Sequence, residues 1–152
     1  MEVIEIYKAW LRDDAVNVPN IDVEAFDLTN KAYAQVDCLA CGQCCRTTVT
    51  TFTIEDINKA SKAIGISKKQ FIHKYLFLDL DGQYTTISVP CPFLNLDDNK
   101  CKIYEARPHA CSSFPHTDRK NFLARKKVHL ENVKFCGITE YVLGGLMGKD
   151  LL

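Results

Sequence analysis

The sequence predicts a small α+β domain, helix-rich with one or two short β-hairpins, organised around a cysteine metal cluster. Three observations carry that expectation. Apolar residues recur at helical spacing, an Asp-Gly turn sits between alternating apolar flanks, and eight cysteines fall into a compact run and a dispersed set. At 152 residues the chain is long enough to bury one core. The expected organisation is a single compact domain, with an N-terminal helical segment over residues 1–36 packed on a cysteine-cluster metal-binding body over residues 37–152.

Val3, Ile4, Tyr7, Trp10 and Leu11 share one helical face, which predicts an amphipathic helix over residues 2–13. After the turn residues between Asp13 and Asn20, Asp22 is expected to cap a second helix with Val23, Phe26, Tyr33 and Val36 facing inward. The β-branched run Thr47 to Phe52 reads as extended. Thr53, three residues before Asp56, signals a helix start, and Gly65 ends that helix after Ile64. Ser67 and Gln70 repeat the signal for a short helix that buries Phe71, Ile72, Tyr75 and Leu76.

Asp81-Gly82 predicts a hairpin whose return strand, Tyr84 to Val89, leads into Cys91. A second turn at Asp97-Asp98-Asn99 sets Cys91 and Cys101 across a hairpin, and Pro108 turns the chain ahead of Cys111. The basic run from Arg119 to Lys127 reads as the wet face of a helix, with His73 and His129 as ordinary helix residues. Ile138 to Met147 is expected to form a closing helix weakened by Gly144 and Gly145.

Composition narrows the function classes. The 19 basic and 19 acidic side chains cancel, which leaves no nucleic-acid footprint, and no stretch approaches the length of a membrane span. Met1 to Lys8 mixes acids with apolar residues and does not read as a secretory signal, so a reducing, cytoplasmic setting is expected. The vicinal pair Cys44-Cys45 is a strained candidate for a disulfide. No Gly-rich phosphate loop, serine elbow or zinc-protease motif occurs, so no catalytic residue is assigned and enzymatic activity is left undecided.

The compact run holds Cys38, Cys41, Cys44 and Cys45, and the dispersed set is Cys91, Cys101, Cys111 and Cys136. Two residues between successive thiols let the backbone turn so that the sulfurs converge, a spacing that zinc ligands use. The same run matches the first ligands of an iron–sulfur spacing, so spacing leaves Zn2+ and an iron–sulfur cluster both open. Eight thiols suffice for two four-coordinate sites. Adjacent side chains diverge, so Cys44 and Cys45 argue for two centres or a thiolate-bridged one. The alternative is one four-iron cluster on Cys38, Cys41, Cys44 and a remote cysteine, for which Cys91, followed by Pro92 as in the ferredoxin pattern, is the candidate.

The run Cys38-Leu39-Ala40-Cys41-Gly42-Gln43-Cys44-Cys45-Arg46, then Pro90-Cys91-Pro92-Phe93-Leu94, then Cys101 to Pro108 with Cys111 and Phe114-Pro115, resembles the CxxCxxCC cysteine-cluster proteins. These are also called YkgJ-like, and the resemblance spans roughly residues 38 to 136. It implies a domain that chelates zinc or iron; oxidoreductase activity enters only through the naming of that family. Arg46 and Arg107 are candidates to donate to metal-bound thiolates and offset their charge, while His109 and His116 are candidates for the surroundings of Cys111. The expected partners are metal ions, with neither nucleic acid nor membrane; a protein partner is left open. The competing functions are an iron–sulfur redox or accessory enzyme and a metal-handling carrier.

Overall fold

A computed structural model describes residues 2–148. The two expected segments extend to Met1 and to residue 152; Met1 and residues 149–152 lie outside the described residues. In chain order the elements are α1 (Glu2–Asp13), α2 (Ile21–Tyr33), α3 (Cys38–Cys41), α4 (Gln43–Thr47), β1 (Thr51–Phe52), α5 (Ile54–Ile64), α6 (Lys68–Tyr75), β2 (Leu76–Leu78), β3 (Tyr84–Thr86), α7 (His109–Ser112), α8 (Lys126–Asn132) and α9 (Gly137–Leu146). Short 3-10 turns lie over Ala15–Asn17, Tyr104–Ala106 and Phe122–Arg125. This is the expected α+β class, dominated by helix. The chain forms two compact units, one from residues before Cys38 together with those from Pro115 onward, the other from Cys38–Phe114.

The first unit is helical. Along α1 the apolar spacing buries Tyr7 and Leu11 and half-buries Ile4 and Trp10, whereas Val3 stays exposed. The helix α2 departs from expectation at both its cap and its face. Asn20, in the left-handed region at φ 52°, precedes the helix, and Asp22 sits inside its first turn. The Asp22 carboxylate instead accepts hydrogen bonds from the backbone N–H groups of Asn121 (2.9 Å) and Phe122 (3.0 Å), which hold it below the usual carboxylate range.

Val23, Phe26 and Tyr33 are exposed, while Ala25, Thr29 and Ala32 are buried. Packing explains this reversal. The small-residue face lets α2 approach α9 closely, and a Cβ on Gly145 would stand 2.7 Å from Leu28 Cδ2. The glycines expected to weaken α9 therefore include one that permits its contact.

The second unit follows local signals more faithfully. Reciprocal hydrogen bonds between Thr53 and Asp56 start α5, and Gly65 at φ 86° ends it; Ser67 and Gln70 start α6 in the same way. Leu76, expected on the buried face of that helix, opens β2 and remains buried. β3 lies between β1 and β2, antiparallel to both, with Phe52 opposite Tyr84 and Phe77 opposite Thr85. The turn carries Asp79 Oδ1 accepting from the N–H groups of Asp81 and Gln83, each at 2.9 Å. The return strand ends at Thr86, short of Val89.

Phe52, Phe71, Tyr75 and Phe93 form an aromatic cluster with ring centroids 4.7–5.9 Å apart, and Cys91 and Cys101 pack against the same core. The second hairpin is reduced to one bridge, Leu94 opposite Cys101, closed by Asn95 N–H to Lys100 O at 2.8 Å.

Candidate metal centre

The compact cysteine run is not an irregular loop. It folds as two short helical turns, α3 and α4, joined at Gly42 in the left-handed conformation at φ 58°. Cys38 and Cys41 stand at the two ends of α3, Cys38 exposed and Cys41 half-buried. Cys44 and Cys45 lie side by side in α4, and the Cys44 side chain hydrogen-bonds that of Cys45.

Cys45 is where the two sequence blocks meet. Its carbonyl accepts the Cys91 N–H at 2.6 Å. Its sulfur is close enough to Cys91, Cys101 and Cys111 for its charge to act on all three. The hydrogen bond from Cys44, with the guanidinium groups of Arg107 and Arg46 nearby, pulls the Cys45 thiol down to about 7.

The other thiols of this set move the opposite way. Burial pushes Cys91 and Cys111 up to about 11, and raises Cys101. Opposing that burial, backbone N–H groups of Phe93 and Leu94 point at Cys91 and that of Ile103 at Cys101, while Thr50 Oγ1 lies 3.6 Å from Cys111 Sγ. The N–H donors stabilise a thiolate and fix its direction. A bound metal must displace the remaining protons, since the thiolate is the ligand.

Several residues position these sulfurs. Asp56, already part of the α5 cap, accepts the His109 N–H at 3.2 Å through its second oxygen and so holds the start of the turn that carries Cys111. Arg107 donates from Nε to Tyr104 O at 2.9 Å, with its guanidinium 3.9 Å from the centre of the Tyr104 ring. Asn99 contacts both Arg46 and Ala40. Sequence motifs point to Arg46 and Arg107 for this surrounding role, but to Asp56 only as a helix cap and to Asn99 only as a turn residue.

The His109 side chain is exposed at the start of α7. His116 belongs to the first unit, where its carbonyl accepts from Arg125 Nη2 at 3.1 Å. Cys136, also in the first unit, precedes α9 and packs against that unit's apolar core. His129, read as an ordinary helix residue, is fully buried, stacked on Phe122 at 4.1 Å, and Nε2 meets Phe122 O at 3.0 Å. Arg125, within the supposed wet face, instead binds the carbonyls of Lys120, His116 and Arg119.

None of the eight cysteines is joined in a disulfide. Among the described residues no three His, Cys, Asp or Glu side chains are closed into a set that could hold a metal ion. The donor chemistry nevertheless suits a soft or borderline cation: Cys45, Cys91, Cys101 and Cys111 are thiols of one unit, with backbone N–H groups directed at Cys91 and Cys101 and the guanidinium groups of Arg46 and Arg107 acting on Cys45. Among the described residues no helix is long and apolar enough to cross a membrane.

Comparison with known proteins agrees with this chemistry. Residues 37–136 match the CxxCxxCC family, described as "Putative zinc- or iron-chelating domain". "Uncharacterized protein MJ0661" of Methanocaldococcus jannaschii is 30% identical over 82 residues, covering 53% of this chain and 44% of the relative. The chain thus spans less than half the length of that relative. No solved structure matches. With its cysteine run, its Cys91 and Cys101 to Cys111 segments, and most of its length within the matched region, the chain belongs to the CxxCxxCC family.

Proposed function

We propose that the protein binds a zinc or iron ion through the thiolates of Cys45, Cys91, Cys101 and Cys111. The observation that supports this reading is the meeting of distant segments in one unit: the Cys91 N–H donates to Cys45 O at 2.6 Å, Cys101 pairs with Leu94 beside Cys91, and the Cys111 thiol lies 3.6 Å from Thr50 Oγ1. Four thiolates suit a tetrahedral zinc or iron ion, and either would supply a closed, structure-holding crosslink. Arg46 and Arg107 reduce the surplus negative charge of such a site, and the N–H groups of Phe93, Leu94 and Ile103 orient two of its sulfurs. Cys38, Cys41 and Cys44 form a second thiol set on α3 and α4. Free thiolates require a reducing compartment, which the cytoplasm provides.

The test is metal content and absorption of anaerobically purified protein, beside Cys44→Ser and Cys45→Ser. Serine keeps the size and replaces a soft ligand by a poor one. Cys45→Ser is expected to lose the four-thiolate metal, with Cys44→Ser retaining it. Thiolate-bound iron absorbs visible light and zinc does not, so the spectrum assigns the ion. Retention of full metal content by Cys45→Ser would overturn the reading.

A further inference from the structure

We propose that Asn99 is a positioning residue for the metal centre: its side chain clamps the Cys38–Cys45 segment and so sets how tightly the thiols hold their ion. The inference rests on the metal-binding reading above.

Asn99 occupies the turn between Cys91 and Cys101, with φ 61° and its N–H donated to Asn95 O at 2.8 Å. Asparagine is among the few non-glycine residues that tolerate this left-handed conformation. From there its amide reaches back across the unit. Oδ1 accepts from Arg46 Nη2, and Nδ2 donates to Ala40 O at 3.1 Å.

Chemistry fixes this orientation. Turning the amide over would set its NH2 group against a guanidinium, which only donates, and its oxygen against a carbonyl, which only accepts. One side chain thus ties together the interior of the first Cys-x-x-Cys and the residue that follows Cys45. Gly42 lies directly beneath it: an added Cβ there would sit 3.3 Å from both Cγ and Oδ1 of Asn99. The absence of a side chain at Gly42 therefore serves the left-handed link between α3 and α4 and the seating of Asn99 against it.

The clamp also has a fixed anchor. Asn99 is two residues from Cys101, which packs on the aromatic core, so the amide transmits the position of that core to the α3–α4 segment. It orients Arg46 at the same time, and Arg46 is one of the cations that act on Cys45.

The experiment uses the full chain with cobalt(II) as the probe, measuring affinity by chelator competition together with the cobalt absorption spectrum. Asn99→Gly keeps the left-handed backbone and removes the amide. Asn99→Asp keeps an acceptor for Arg46 but faces Ala40 O with an oxygen. Asp98→Asn changes the same turn without touching the cysteine segment. Loss of a residue that orients metal ligands costs about 10- to 100-fold in affinity. Asn99→Gly is expected to show a loss of that order with shifted cobalt bands, Asn99→Asp a smaller loss, and Asp98→Asn neither. Wild-type affinity and spectrum in Asn99→Gly would overturn the proposal. Failure of the parent protein to take up cobalt would overturn the metal reading itself, a different result.

Discussion

The two units solve the same problem with different materials. In the first, α2 packs against α9 with Ala25, Thr29 and Ala32 buried, and Thr29 bonds Ala25 O and Thr117. In the second, an aromatic cluster is joined by half-buried thiols carried on short turns, a single bridge and a four-residue helix. Long helices satisfy their own backbone and need only an apolar face covered. Segments such as 38–47 and 90–111 make few regular hydrogen bonds, and their sulfurs gain most from a crosslinking ion. The contrast teaches that the metal should matter to one unit and hardly to the other.

The largest packing effect is expected at Phe71, which is fully buried and within 5.7 Å, centroid to centroid, of Phe52, Tyr75 and Phe93. Phe71→Ala should cost about 3–5 kcal/mol in denaturant melts. A loss below about 1 kcal/mol would mean that the aromatic cluster does not support the thiol-bearing segments.

The next effect probes the first unit by pH. Burial lowers the His129 imidazole from 6.5 to about 4, with Arg125 and His116 acting in the same direction. The folded state therefore holds His129 neutral while the unfolded chain protonates near 6.5. Its stabilisation is complete above about 6.5 and declines as pH falls from there to about 4, by about 3 kcal/mol at most. Urea melts between pH 7 and 4 should show this slope, and His129→Phe should flatten it. An unchanged slope in that variant would assign the acid sensitivity elsewhere.

A smaller effect is expected at Gly145. Its added methyl would stand 2.7 Å from Leu28 Cδ2, the far end of a side chain that must turn aside, so Gly145→Ala is expected to cost about 1 kcal/mol, partly offset by the better helix propensity of alanine. A net gain in melting temperature for Gly145→Ala would show that Leu28 moves aside without loss of packing.

How much of this was legible in sequence depends on how local the cause is. The caps at Thr53 and Ser67, the stop at Gly65 and the Asp79–Gln83 turn each follow from residues within one helical turn or hairpin, and each was read correctly. The inward face of α2 was misread because Val23 and Phe26 are more apolar than Ala25 and Ala32, and only the closeness of α9 makes small residues the right ones to bury. Asp22 looked like a cap because its role depends on Asn121 and Phe122, far along the chain. The same limit applies to the proposed site. Spacing singles out the cysteines, but the hydrogen bond from Cys91 N–H to Cys45 O and the reach of Asn99 to Ala40 are products of tertiary folding.

The central claim is that metal binding belongs to the second unit and holds it together. Hydrogen exchange on metal-loaded and chelator-stripped protein tests this most directly. The account predicts that stripping removes protection across residues 38–52 and 90–114 while residues 2–37 and 115–148 keep theirs, because binding free energy for such a site is also folding free energy. Equal protection of residues 38–114 in both states, or loss confined to residues 115–148, would contradict it.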